Sequence, residues 1–464
     1  MSMDRTPWDR FPLQIQNEIV GLLPIIRYIW FRVKLKQYDC TQCENNDQDE
    51  WGLDEVDNRF IVDAFDNLFT TLSAWEPRGD LVFEISIYSP SDNQHWFKYI
   101  SFSPDNDTGE PSRHGHEHGA TVNDPAHGWV TGQPILAPEI MGEGPYYDDE
   151  TEMQWWRSLP CVPVVGVVLF RQQTRRRWKP VAIANMLTRF PNIKELCCGP
   201  WRELGGMEKQ TINGTKLIQS FPQMGSLCKL TIFENFDDSY PEIYQAPAIG
   251  VPSQDVSLKL ARTSQHLEML SASFMADASH FFLAPQIQNS WTWSKLTSLA
   301  LTSNVLTGDA DPLRVNNMLG NAAATALRMP RLHIMELWNG RKGVAMLFRY
   351  KRAREDGQPA IITIRGTSEL ALGTGVVEAW DMVAYQHSRS KVVMQTSSID
   401  PNGIRSHGDA ICQLGLLNEV TRPVSLRQII NENSVSRLRP SPQSSYSALS
   451  SYRSYCVALD TWFS

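Results

Sequence analysis

The chain has 464 residues, room for about three domains at roughly 150 residues each or for one long repeat array. Hydrophobic residues make up 42% and charged residues 20%, the balance of a folded protein rather than a disordered one. A net charge of −8 argues against a broad nucleic-acid or anionic-membrane surface.

No run approaches the roughly 18 apolar residues that cross a bilayer. The strongest, residues 162–170, suits a buried strand, so no membrane partner is expected. Residues 1–10 carry Asp4, Arg5, Asp9 and Arg10 without an apolar stretch, so no secretory signal is expected either. Eight cysteines in so long a chain do not make a disulfide scaffold. Reduced thiols in an intracellular setting, cytoplasm or nucleus, are the expectation.

Residues 8–23 read as a short amphipathic helix. Pro12 suits its first turn, and Leu13, Ile15, Ile19, Leu22 and Leu23 form its apolar stripe before Pro24 stops it. Residues 27–35 alternate as a strand, 59–75 carry apolar residues at helical spacing, and 81–88 alternate again. These make the first units, within 25–99. Residues 100–158 are rich in Asp, Glu, Gly, Pro and His and read as a loop insertion, with 103–125 expected to be mobile.

From 159 to 340 a pattern recurs. Helix-like VAIANMLTRF, KLIQSF, SLKLARTSQ, QNSWTW and NMLGNAAATALRM each lead into an apolar-x-x-apolar strand. The strand pairs are Ile193/Leu196, Leu227/Leu230, Leu267/Leu270, Leu296/Leu299 and Leu332/Met335, spaced 34, 40, 29 and 36 residues apart. Such a unit cannot bury its own apolar face, whereas stacked neighbours share a core. The expected fold is therefore an α/β, leucine-rich-repeat-like solenoid over 25–430 with parallel strands. One doubly wound α/β domain is the competing architecture. Residues 341–430 read as closing α/β units and a cap, and 431–464 as a disordered tail, with 435–455 mobile.

Candidate chemistry is sparse. Cys40-x-x-Cys43 would need a second ligand pair to hold zinc. The candidates considered are His114, His116 and His118 in HGHEH, and two plain thiols at a strand end is the simpler reading. Cys197 and Cys198 read as repeat residues pointing to opposite faces. Gly373-Thr374-Gly375-Val376-Val377-Glu378 follows a strand and opens a helix, but Glu378 stands where a dinucleotide turn has its third glycine. The cluster Arg171, Arg175, Arg176, Arg177, Trp178 and Lys179 reads as a solvated repeat edge, with an acidic partner or the chain's own acidic loop at 147–152 as the alternatives for it to pair with. Trp155 and Trp156 read as a cover for an open repeat. No GxxxxGK[ST], GxSxG or HExxH occurs. No catalytic residue, metal ligand or cofactor is therefore assigned, and the expectation is a protein that is not an enzyme.

Trp8, Phe11-Pro12-Leu13-Gln14-Ile15, Glu18-Ile19 and Leu22-Leu23 resemble the first helix of an F-box. With Arg27-Tyr28-Ile29-Trp30, Tyr38-Asp39-Cys40 and His95-Trp96-Phe97-Lys98-Tyr99, the chain is similar to filamentous-fungal F-box proteins of unknown substrate. Residues 1–24 hold only that first helix, truncated before the second and third. The resemblance implies a substrate receptor of a Skp–cullin–F-box (SCF-type) ubiquitin ligase. Pro12, Leu13, Ile15, Ile19 and Leu22 would contact a Skp-type adaptor, and the repeats would bind an unknown protein substrate. The alternatives are a repeat-based binding protein with no ligase link and, more remotely, an α/β enzyme.

Overall fold

A computed structural model describes residues 26–39, 55–95 except 78, 104–105, short pieces of 124–142, 149–201 except 172–175 and 179, pieces of 214–236, 252–284, 290–434 except 356–357, and 456–460. The F-box-like helix with Pro12, Leu13, Ile15, Ile19 and Leu22 lies outside these residues. So do the Cys40-x-x-Cys43 and HGHEH motifs and almost all of 103–125 and 435–455.

One large sheet organises the described chain. Its strands are β1 (Tyr28–Lys34), β2 (Leu81–Tyr88), β3 (Val165–Phe170), β4 (Glu195–Cys198), β5 (Lys229–Phe233) and β6 (Met269–Ser273). They continue with β7 (Ser298–Thr302), β8 (Ile334–Arg341), β9 (Val344–Lys351), β10 (Ala360–Gly366), β11 (Val392–Ser398) and β12 (Cys456–Asp460). From β1 to β11 each strand lies beside its predecessor, and β12 pairs with the outer side of β1. The sheet has two ends and is not closed into a barrel.

The strands of the five repeat-like units pair in parallel, as their helix-then-strand order requires. A fully parallel array was expected through residue 430, and here the structure corrects the reading. β8–β9 and β9–β10 are antiparallel, which makes the sheet mixed. The cause is local. Only Lys342-Gly343 separate β8 from β9, Gly343 adopts φ +74°, and a two-residue connection can only make a hairpin.

Helices α1 (Glu55–Ser73), α2 (Asp149–Ser158), α3 (Pro180–Leu187), α4 (Gln254–Thr263), α5 (Ala278–Phe281), α6 (Pro312–Ala326) and α7 (Thr374–Ser388) supply the connections. Strand alternation explains how they pack. Ile29, Phe83, Val168, Leu196, Leu230, Leu270, Leu299 and Met335 are lateral neighbours on one face, and all are buried in one core with these helices. Burying each contributes about 1.5–3 kcal/mol. In α1, Ile61, Phe65, Phe69 and Leu72 face that core, and Trp155 and Trp156 of α2 pack on Phe65 at 6.1 and 5.1 Å. This replaces two expectations. The insertion read as a loop contains a helix, and its tryptophan pair joins the main core.

Three further readings change. Within QNSWTW the described residues Ser290–Trp293 are turn and coil rather than helix, and the four-residue α5 stands in the connection. The tail read as disordered contributes the end of α9 (Pro423–Ser434) and strand β12. Asp105, in the insertion, makes specific contacts described below. Close approach fixes one glycine: a Cβ on Gly166 would lie 2.5 Å from the Gly79 carbonyl oxygen, where β2 and β3 shift register.

Candidate functional site: the second face of the sheet

The opposite face is chemically different. Trp30, Glu84, Leu169, Cys197, Thr231, Ser271, Ala300, Glu336 and Arg349 form one lateral row across nine neighbouring strands. The next row toward the strand ends includes Ser86, Phe233, Ser273, Thr302, Trp338 and Leu347. A doubly wound sheet is apolar on both faces because helices cover both. Here the first face is apolar, and the second mixes polar and charged residues with two smaller apolar clusters, around Trp30 and Leu169 and around Phe233, Trp338 and Leu347.

Charges are concentrated at its two ends. Glu84, on β2, is fully buried and takes Arg171 Nε and Nη2 at 2.8 and 2.7 Å, together with the Tyr28 hydroxyl as a donor. Burial is the larger influence on the Glu84 carboxyl and raises its pKa; Arg171 and Tyr28 oppose that rise. Asp105 comes from the insertion, donates its backbone N–H to Tyr28 Oη at 3.1 Å, and accepts Arg422 Nε at 2.9 Å. Arg422 also reaches Glu419 at 2.8 Å. Burial raises the Tyr28 hydroxyl pKa, and Glu84 adds to it. Two carboxylates and two guanidiniums thus tie β1, β2, β3, the insertion and the C-terminal segment together. Arg171 therefore does not stand on a solvated edge: it is buried and paired. Trp178 is buried too.

The second knot is Glu336 on β8, also fully buried. It pairs with Arg349 directly across the hairpin at 2.7 Å. It also accepts the backbone amides of Leu417 and Asn418 at 3.0 and 2.8 Å, and the Asn418 side-chain amide at 2.6 Å. Asn418 reaches Ser298 on β7. The segment so held contains helix α8 (His407–Leu414) and α9. Ala410, Ile411, Leu414 and Ile429 pack there on Phe233, Ala300, Trp338 and Leu347. His407 Nε2 lies 2.7 Å from Asn235 Oδ1, and its ring stacks on Phe236 at 4.5 Å. Phe274 adopts φ +64°, costly for a side chain of this size. It is fixed by its N–H to Thr302 Oγ1 at 2.7 Å and by ring contacts with Phe233, Phe236 and Trp338.

The C-terminal segment thus covers the β5–β9 part of this face. At the strand starts a strip stays partly open: Val82 and Val167 are half-buried, Glu195 and Lys229 form a 2.8 Å ion pair, and Met269 is 38% exposed. These five are lateral neighbours on β2 to β6.

The remaining sequence candidates are placed as follows. Cys197 is buried on the second face and Cys198 among the helices, as the alternation required. Burial pushes both thiols up, Cys198 to about 12. At the GTGVVE turn, the Gly373 amide donates to Asn316 Oδ1 at 2.8 Å, so α6 already uses one donor a phosphate would need. Among the described residues no group of three or more His, Cys, Asp and Glu is arranged to hold a metal ion, and no helix is long and apolar enough to cross a membrane.

Sequence reasoning did not find Glu84, Asp105, Glu336 or Arg422. Glu84 and Glu336 carried a signal, a lone acid inside VFEIS and IMELW. Asp105 and Arg422 carried none. No curated protein and no solved structure matches the chain. Residues 220–422, the stretch that runs from just before β5 through α8 to Arg422 and stops before α9, are similar to a family of unknown function, DUF6546.

Proposed function

We propose that this chain is a non-enzymatic protein-interaction module built as a leucine-rich-repeat-like solenoid, and that it serves as the substrate receptor of an SCF-type ubiquitin ligase. The observation that supports the module is the two-faced sheet. Strands succeed one another in chain order, one helix layer buries the first face, and on the second face a partly open strip remains for recognition beside the part that α8 and α9 cover. Substrate binds the strip of Val82, Val167, Glu195, Lys229 and Met269, where apolar and paired charged groups alternate. Pro12, Leu13, Ile15, Ile19 and Leu22 contact a Skp-type adaptor. Catalysis belongs to the partners, inside the cell.

A second reading, a binding protein with no ligase link, is favoured by the single F-box-like helix. Burying Ile15, Ile19 and Leu22 yields at most about 9 kcal/mol. Association costs an estimated 4–15 kcal/mol, and so short a helix is marginal alone. The test is a pull-down with purified adaptor, comparing this chain with one carrying a complete F-box. We expect weak or no binding by the first and tight binding by the second. Tight binding by both would show that one helix suffices. Binding by neither would remove the ligase link.

A further inference from the structure

Strand β11 ends the sheet on the side away from β1. It pairs with β10 along its 7 residues, without a shift of register. Among the described residues no strand pairs with its outer side. In a parallel pair, alternate residues turn their backbone groups toward the neighbouring strand and the others turn theirs away. Ala360 N–H donates to Lys391 O at 3.0 Å, and Ile399 N–H donates to Gly366 O at 2.8 Å. Val393, Gln395 and Ser397 therefore face β10 with their backbone, and Val392, Met394, Thr396 and Ser398 face outward. Asp381 of α7 accepts the first outward N–H, that of Val392, at 2.8 Å. The amides of Met394, Thr396 and Ser398 and the carbonyls of Val392, Met394 and Thr396 form a row of donors and acceptors along the edge.

Folded proteins blunt such an edge with a charge, a proline, a bulge or a covering element. Residues 392–398 contain no charge and no proline, and their pairing has no bulge. Residues 393–398 are exposed on both faces of the strand. Val393 is 48% and Met394 42% exposed. A foreign peptide that adds to a sheet edge is selected by pockets for its alternate side chains. Exposure above and below the strand means that the described residues wall no such pockets. A second copy of β11 needs none, because its own uncharged strand brings no like charge against the edge. Charge sets the direction. Arg389 and Lys391 stand just before β11, and Asp400 stands just after it. Antiparallel pairing lays the basic start of each copy beside the acidic end of the other, whereas parallel pairing would set like beside like.

We propose that this chain forms a two-fold dimer in which β11 of one copy pairs antiparallel with β11 of the other and joins the two sheets edge to edge. The outward groups fix the register. Centring the axis on Gln395 overlaps the whole strand with itself. Met394 and Thr396 of each copy then exchange hydrogen bonds with Thr396 and Met394 of the other, and Ser398 N–H donates to Val392 O. The two Gln395 side chains meet at the axis as a non-hydrogen-bonded pair, the closer of the two pair types. One strand pair is a small interface, so the dimer dissociates on dilution.

The test is sedimentation velocity of the full-length chain over a range of concentration, with amide exchange at both ends of that range. A monomer–dimer equilibrium is expected. Gln395→Lys and Gln395→Glu each set like charges opposite one another and should each weaken the dimer about fivefold. An equal mixture of the two should restore it. Thr396→Pro removes an outward N–H that β10 does not use, so it should abolish the dimer with the thermal midpoint kept. Leu313→Lys, on the helix layer, should leave the dimer unchanged. The amides of Met394, Thr396 and Ser398 should exchange fast in the monomer and slowly in the dimer, while those of 393, 395 and 397 stay protected in both. A chain that is monomeric throughout, a dimer that survives both Gln395 variants, a mixture that fails to restore pairing, or equal loss in Leu313→Lys would overturn the proposal. So would outward amides protected in the monomer, which would place another part of the chain on this edge.

Discussion

A guanidinium and a carboxylate withdrawn from water hold each other in place on the second face. Removing one partner of such a pair leaves an uncompensated buried charge, which costs about 3–5 kcal/mol, whereas replacing both with apolar or neutral groups is far cheaper. Arg171→Met should therefore lower the urea unfolding free energy by about 3–5 kcal/mol, and adding Glu84→Gln should recover part of the loss. A single variant no less stable than wild type would mean that Asp105 and Arg422 carry the knot without Arg171. A second residue gives a pH signature. Burial, with Arg352 close by, pushes His387 down from 6.5 to about 4. The unfolded chain takes up this proton near 6.5 and the folded chain only near 4, so between these values the unfolded state binds more protons. Stability contributed by neutral His387 is present above 6.5 and is lost as pH falls toward 4. His387→Gln should flatten the change in urea midpoint between pH 7 and pH 5, and an unchanged slope would exclude His387 as its source.

Elements show where the sequence was readable. The helix-face residues of β4 to β8 announce themselves because burial under helices demands an apolar residue at every second position. That periodicity survives irregular spacing between units. The Lys342-Gly343 turn was equally available from its two-residue length, but the repeating pattern suggested another parallel unit. The Glu336 knot was not readable, because its partners are backbone amides 81 and 82 residues away. No local pattern records a contact of that separation. Asp105 sits in a composition that reads as unstructured, yet it pairs with an arginine 317 residues on. Glu336 also carries a prediction. Glu336→Ala removes the acceptor for Leu417 and Asn418, so amide exchange across 415–422 should accelerate while 296–301, inside the sheet, stays protected. Equal protection in both proteins would show that α8 and α9 hold the segment by apolar packing alone.

At the scale of the molecule, the two faces differ. One face is a continuous apolar core from β1 to β10. The other is a mixed surface on which the chain's own C-terminal segment occupies one part and an open strip remains beside it. The recognition claim rests on that strip, and a photo-crosslinking amino acid reads it directly. It would be placed at Met269, 38% exposed on the strip, and as a control at Leu313, 65% exposed on the helix layer. Each version of the full chain would be irradiated in cells and its protein adducts identified. The account predicts a discrete protein adduct from position 269 that is missing from position 313 and is lost when Lys229→Glu is added, with the thermal midpoint unchanged. Equal adducts from both positions, or none from 269 while 313 captures a partner, would place recognition elsewhere and contradict the assignment of the second face.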